Sequence, residues 1–273
     1  VGENSGLQGA DIHLDFPSVG ATENIMMAAV LAKGITVIRN AAKEPEIVDL
    51  QNFLNSLGGK VVGAGTDTIK VQGVTTLAGD VDYMVIPDRI EAGTYLLAGA
   101  ITGGEVWVKN VIPEHLEAIL AKLQEMGYEL LVEDDRIGIN AVGKPNPVDI
   151  KTLPYPGFPT DIQPQFMSLL TTVQGISLVT ENIFDGRLKH AEELARMGAL
   201  IQVEGRTAII KGGRELQGTS VEATALRSGA ALVLAGLAAS GITRVKNIAH
   251  IERGYQDMTG KLTSLGARIR KVD

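Results

Sequence analysis

Ile47, Leu50, Phe53, Leu54 and Leu57 recur at helical spacing along Glu46 to Leu57, so this segment has one dry face and one wet face. Gly58 stands just past its last turn, where a left-handed residue ends a helix at little cost. Upstream, Ser18 precedes a second helical stretch from about Ala21 to Lys33, which Gly34 stops. Between the two helices Ile35-Thr36-Val37-Ile38-Arg39 alternates β-branched and longer residues and predicts a strand. Lys60 to Gly63 and Thr68 to Gln72 predict two more strands around a Gly-Thr-Asp turn. The unit is therefore helix, strand, helix, strand, strand.

That unit recurs. Its first glycine reappears as Gly34, Gly104, Gly175 and Gly241, at spacings of 70, 71 and 66 residues. Its second reappears as Gly58, Gly127, Gly198 and Gly266, at spacings of 69, 71 and 68. Two landmarks with one period predict copies of a supersecondary unit that bury their apolar faces on each other. The second copy runs from about Glu91 through Ala118–Met126 to Asn140. The third uses 165–174, 188–197 and 201–210, and the fourth uses 226–240 and 254–265. The fourth is expected to have only one of its two closing strands. A Pro-rich stretch from Lys144 to Pro159 is expected to be an extended connector. The domain boundary is expected near Gly79–Asp88, giving an incomplete first domain, 1–85, and a second, 86–273.

Composition narrows the chemistry. With 273 residues, 45% of them hydrophobic, the chain can fill real cores, and no apolar run is long and uncharged enough to predict a membrane span. Val1 to Gly9 is polar, so no signal peptide is expected there. The absence of Cys excludes disulfides and thiolate chemistry within these residues, and His13, His115, His190 and His250 are scattered, so no metal is expected. A net charge of −7 argues against a nucleic-acid partner.

Three constellations could carry chemistry. The helix opening at Pro17-Ser18-Val19-Gly20-Ala21-Thr22 offers unpaired backbone N–H groups to a phosphate or diphosphate; an ordinary Ser cap explains it equally well and is the commoner case. Asp161 lies between Pro159 and Pro164, ahead of an apolar helix. It is either a general base held by a rigid turn or, with Thr160, a helix cap; from the segment alone the cap is favoured. Arg187, Arg227 and Arg253 stand at comparable places in the units. Arg227 interrupts an apolar helix start, where an unpaired cation is costly, so it should face an anion. Convergent arginines suit a small, multiply charged substrate, whereas ion pairs with acids such as Glu222 or Glu252 would make them purely structural. His190 and His250 are read as structural, Trp107 as core, and Glu133-Asp134-Asp135 as a hairpin turn.

The strings SVGAT (Ser18 to Thr22), NAAKEPEIVDLQNFL (Asn40 to Leu54), PDRIEAGT (Pro87 to Thr94), FPTDIQPQF (Phe158 to Phe166), ENIFDGRLKH (Glu181 to His190), LRSGAALVLAG (Leu226 to Gly236) and HIERGY (His250 to Tyr255) resemble the enolpyruvyl transferase family, in its branch acting on UDP-N-acetylglucosamine. The resemblance runs in order along essentially the whole chain and covers the later part of such an enzyme. It implies two inside-out α/β barrel domains and a cytoplasmic transferase of cell-wall peptidoglycan synthesis, in the family targeted by fosfomycin. No cofactor is implied. Ser18, Val19, Gly20, Asp161 and Ile183 would contact the nucleotide sugar, with Asp161 as the base for its 3-hydroxyl. Arg187, Arg227 and Arg253 would hold phosphoenolpyruvate. Asp185 stands where many relatives have Glu, which leaves its role open. The family's Lys-Asn pair and reactive-Cys loop have no counterpart here, so the isolated chain is expected to be nearly inactive and could self-associate through uncovered faces. The alternatives are the sister transferase acting on shikimate 3-phosphate and a non-catalytic repeat module.

Overall fold

The protein is described from a computed structural model in which residues 6–272 are placed. It divides into two compact units: residues up to Ile86 with Pro154–Pro156, and Pro87–Leu153 with Gly157 onward.

In the first unit the order is β1 (Asp11–His13), α1 (Val19–Ala29), β2 (Ile35–Arg39), α2 (Pro45–Ser56), β3 (Lys60–Val62) and β4 (Thr68–Gln72). The sheet runs β1-β2-β4-β3, with β1 parallel to β2 and β4 antiparallel to both β2 and β3. Alternation puts Ile38, Val61, Ile69 and Val71 on the face that packs with Met26, Val30, Ile47 and Leu54 of the two helices. Thr22 is fully buried, and its hydroxyl joins the helix start to Ala42, accepting from that N–H at 3.1 Å.

The second unit holds the other copies: α3 (Arg89–Thr102), β5 (Glu105–Lys109), a 3-10 turn (Pro113–Leu116), α4 (Glu117–Glu125), β6 (Glu129–Val132) and β7 (Arg136–Asn140); then β8 (Ile150–Lys151), α5 (Gln163–Thr172), β9 (Gly175–Thr180), α6 (His190–Arg196), β10 (Leu200–Glu204) and β11 (Thr207–Gly212); then β12 (Ser220–Glu222), α7 (Leu226–Ala238), β13 (Arg244–Lys246), α8 (Ala249–Glu252) and α9 (Met258–Ser264). Helices α3, α5 and α7 are buried on nearly all sides and pack on one another. Separate sheets, β5-β7-β6, β10-β11-β9-β8 and β12-β13, contribute the surrounding strands. Helices inside and sheets outside match the inside-out α/β arrangement, although the strands of the described residues do not close into one barrel. A helix buried all round is predominantly apolar and small, as the Ala- and Gly-rich α7 is.

The periodic glycines have a common backbone. Gly58, Gly127, Gly198 and Gly266 end α2, α4, α6 and α9 with φ of 90°, 93°, 95° and 96°, a region that strains any side chain. Four expectations need correction. The helix read over 254–265 starts later, as α9 at Met258, capped by the Asp257 side chain, and a separate short helix, α8, ends before it at Glu252. Ala267–Val272 form no strand, because no described strand offers them a ladder. Trp107 is half-buried rather than core. It lies over Gly138 of the neighbouring strand, and the Arg136 guanidinium sits 5.1 Å from its ring centre. The Pro-rich connector is extended only in part: it contributes β8, parallel to β9, and then turns at 154–157, where the Leu153 N–H donates to the Phe158 carbonyl at 3.0 Å.

Candidate active site

Asp161 does not cap α5. That helix begins after Ile162 without a side-chain cap, and Thr160 donates instead to Glu181 Oε2 at 2.8 Å. The cap reading is thus overturned, and the Asp161 carboxylate is left to accept from two arginines, Arg187 from later in the same repeat and Arg227 from the next. Arg187 Nη2 donates to Oδ1 at 2.6 Å and Arg227 Nε donates to Oδ2 at 3.2 Å. Neither Glu222 nor Glu252 serves Arg227: Glu222 accepts from Asn247 and Glu252 from Lys271.

Burial alone would raise the Asp161 carboxyl, but the charges and hydrogen bonds of Arg187 and Arg227 outweigh it and hold it below the ordinary carboxylate value. The Arg227 side chain is only 13% exposed. Burial opposes its charge; Tyr255 and Asp161 overcome that cost and raise it above its ordinary value. Its guanidinium lies 5.4 Å from the Tyr255 ring centre, and its Nη1 is buried with no hydrogen-bond partner among the described residues. Beneath it, the Tyr255 hydroxyl is 2.9 Å from Thr94 Oγ1, and Gln165 Nε2 donates to both oxygens at 3.1 Å. This buried knot ties α3 and α5 to the floor of the arginine on α7.

Arg187 is steadied differently. Its guanidinium lies 4.9 Å from the Phe184 ring centre, and its backbone is hydrogen-bonded to His190. His190 is 1% exposed, and burial above all pushes its imidazole down to about 4, so at neutral pH it is an uncharged support rather than a proton carrier. Arg187, Phe184, Leu188, Ile201 and Val203 line a cleft of about 350 Å³ beside the cluster.

The remaining sequence-derived residues are more dispersed. Ile183 is half-buried, with its N–H on Glu181. Asp185 is exposed and pairs with Arg206, so its carboxylate turns to another cation. Arg253 is exposed just after α8 and forms no ion pair with Asp161. Ser18, Val19 and Gly20 lie in the other compact unit. Ser18 caps α1, accepting from the Ala21 N–H at 3.3 Å, and a Cβ on Gly20 would meet nothing within 4 Å. Among the described residues no group of His, Cys, Asp or Glu could hold a metal, and no helix is long and apolar enough to cross a membrane.

Sequence reasoning missed Glu181, which is 1% exposed and accepts four hydrogen bonds. A signal was present. The residue following the first strand of each copy is Asn40, Asn110, Glu181 and Asn247, so the third copy alone departs from Asn.

A repeated αβ unit with buried inner helices and a carboxylate held by two guanidinium groups defines a class, and comparison with known proteins gives it a name. The sequence profile of the EPSP synthase (3-phosphoshikimate 1-carboxyvinyltransferase) family matches residues 1–262, and the chain belongs to that family. It is 57% identical over 268 residues to UDP-N-acetylglucosamine 1-carboxyvinyltransferase 1 of Staphylococcus aureus (strain N315) and 56% identical to that of Staphylococcus epidermidis, covering 98% of this chain and 63% of each relative. The chain thus spans less than two thirds of the length of these curated relatives. Among solved structures, the enolpyruvyl transferase NikO from Streptomyces tendae superposes with a TM-score of 0.88 at 26% identity, covering 97% of this chain and 66% of that one. An EPSP synthase from Acinetobacter baumannii shares the fold, with a TM-score of 0.77 at 21% identity over 98% of this chain and 64% of its own.

Proposed function

We propose that these residues belong to an enzyme that transfers the enolpyruvyl group of phosphoenolpyruvate to the 3-hydroxyl of UDP-N-acetylglucosamine, releasing inorganic phosphate, as a step of peptidoglycan synthesis. The observation that carries the reading is the division of the Asp161 carboxylate between Arg187 and Arg227, one oxygen to each. Two guanidinium groups that meet on a single carboxylate can also receive a substrate carboxylate and phosphate.

In this reading Asp161 occupies the arginines until the substrate anion arrives. Phosphoenolpyruvate takes over the guanidinium hydrogen bonds, and Asp161, relieved of two positive neighbours, becomes a stronger base. It then accepts the proton of the sugar 3-hydroxyl as that oxygen bonds to the enol carbon, while a separate general acid gives a proton to the methylene carbon. The product is a tetrahedral phospho-ketal. Loss of a methyl proton and of phosphate from it restores the double bond as an enolpyruvyl ether. Arg227, largely dry, contributes most to stabilising oxyanion charge, because its field is least screened. Arg253 completes the phosphoenolpyruvate set, Ile183 flanks the nucleotide sugar, and the α1 opening at Ser18, Val19 and Gly20 takes the diphosphate. Asp185 is a candidate auxiliary acid. A cytoplasmic location goes with these substrates.

Identity of 57% to proteins named for UDP-N-acetylglucosamine, against 21% to an EPSP synthase, supports the nucleotide sugar over shikimate 3-phosphate. Calorimetry tests the choice. UDP-N-acetylglucosamine should bind and shikimate 3-phosphate should not, and Arg227→Ala should lose phosphoenolpyruvate affinity. Preference for shikimate 3-phosphate, or indifference to both in a folded sample, sinks the reading. Phosphate release by the 273-residue chain alone should be far below that of an enzyme containing the whole length of the relatives.

A further inference from the structure

Glu181 breaks the internal symmetry of the chain. In the other three copies the residue after the strand is Asn40, Asn110 or Asn247, each in the left-handed region with φ of 55°, 54° and 58°. Asn tolerates that region better than most residues and makes an inexpensive turn. Glu181 does not adopt it. The third copy therefore gives up a turn that its siblings share and places a carboxylate, 1% exposed, at the end of β9.

Among the described residues no cation pairs with that carboxylate. Its Oε1 accepts from Thr152 Oγ1 at 2.9 Å and from the N–H groups of Ile183 at 2.9 Å and Phe184 at 3.1 Å, while Oε2 accepts from Thr160 Oγ1 at 2.8 Å. All four are donors, which suits an acceptor-only group. A buried charge is tolerable when its lone pairs are filled in this way. Two further bonds tie the same corner together: the Glu181 N–H donates to the Arg206 carbonyl at 2.8 Å, and the Asn182 N–H donates to Thr152 Oγ1 at 2.8 Å. Three separate segments meet on one side chain: the connector at Thr152, the turn at Thr160 and the loop at Ile183 and Phe184.

Each segment borders the candidate site. Thr160 immediately precedes Asp161, Phe184 carries the Arg187 guanidinium on its ring, and Ile183 is a proposed nucleotide-sugar contact. We propose that Glu181 is a positioning residue that fixes the Asp161 carboxylate against Arg187 and Arg227 and locks the Ile183–Phe184 loop to the same anchor. A base displaced by even a fraction of an ångström from its acceptor geometry loses much of its effectiveness, so rigid support of this kind has functional value. The catalytic consequence rests on the function proposed above; the positional claim does not.

The test therefore needs no substrate. The Asp161 side-chain carboxyl is followed by carbon NMR through an acid titration of the chain and of its Glu181→Ala, Glu181→Gln and Thr160→Val variants. The charges that act on the Asp161 carboxylate, Arg187 and Arg227, are unchanged in all of them, and Tyr255 beside Arg227 stays neutral throughout an acid titration. With Glu181→Ala the Asp161 midpoint should rise by about half a pH unit or more, because its carboxylate is no longer held at both guanidinium groups. Glu181→Gln keeps an oxygen for the loop N–H groups and can donate to the Thr160 hydroxyl, so it should titrate close to the parent. Thr160→Val removes only one bond and should give a smaller rise. If Glu181→Ala does not unfold cooperatively, Thr160→Val decides the matter. An unmoved midpoint in the folded variants overturns the proposal, and so do equal shifts in the Gln and Ala variants.

Discussion

Arg187 Nη2 stands 2.6 Å from Oδ1 of Asp161, across 26 residues of chain, and Arg227 takes the other oxygen from the following repeat. Two consecutive copies of one supersecondary unit thus converge on a single carboxylate. That convergence makes Asp161 an internal counter-ion whose removal should be felt in stability as well as in binding. Asp161→Ala leaves Arg227, 13% exposed, without its anion. Breaking a buried pair costs about 3–5 kcal/mol, and the 39% exposure of the Asp161 side chain trims this to roughly 2–3 kcal/mol. Urea denaturation should register the loss, and phosphoenolpyruvate should restore part of it by binding only the folded state. A variant as stable as the parent and indifferent to the anion would mean that the guanidinium groups do not depend on Asp161.

His190 makes a second quantity measurable. Its imidazole is pushed from 6.5 to about 4, chiefly by burial, so the unfolded chain takes up this proton at a higher pH than the folded one. The contribution to stability is therefore complete above pH 6.5 and declines as pH falls towards 4, by up to about 1.4 kcal/mol per pH unit. Below about 4 the folded state is protonated too and the decline ends. Denaturation between pH 7.5 and pH 5 should show a slope that His190→Gln lacks. Parallel pH profiles for parent and variant would show that His190 stays protonated alike in both states.

Much of the fold was legible because two local rules repeat. Helical spacing gave the amphipathic outer helices, and glycine at Gly58, Gly127, Gly198 and Gly266 marked the left-handed turns that end them. The all-round burial of α3, α5 and α7 was harder to see, since apolar and small residues on every side leave no stripe to read. At the site, Arg227 was legible as a cation out of place in an apolar helix. Asp161 was ambiguous, because an acid before a helix is ordinarily a cap, and only the long-range approach of Arg187 and Arg227 resolves it. Glu181 was hidden for a related reason: two of its four partners, Thr152 and Thr160, lie in segments that local periodicity does not bring to it.

Gly229, two positions beyond Arg227 on α7, is predicted to set the position of that helix. A Cβ there would stand 2.6 Å from Ile251 Cγ1 and 3.0 Å from Ala223 Cβ. Gly229→Ala gains about 1 kcal/mol of helix propensity but must push α8 away, and overpacking of this kind costs about 1–3 kcal/mol. Thermal unfolding should show no gain or a net loss, and phosphoenolpyruvate affinity should fall as Arg227 is displaced. A clear stabilisation would mean that α8 yields freely.

Gly20 offers the opposite case. It lies in the first turn of α1, and an added Cβ meets nothing within 4 Å, so Gly20→Ala should be neutral or stabilise the fold by up to about 1 kcal/mol. Under the proposed function the same methyl group would stand where the diphosphate approaches the helix N–H groups, so affinity for UDP-N-acetylglucosamine should fall. Stability and binding would then move in opposite directions, which separates a site from a structural turn. A variant that unfolds later and binds the nucleotide sugar as tightly as the parent would leave Ser18 as an ordinary cap, already occupied by its bond from Ala21.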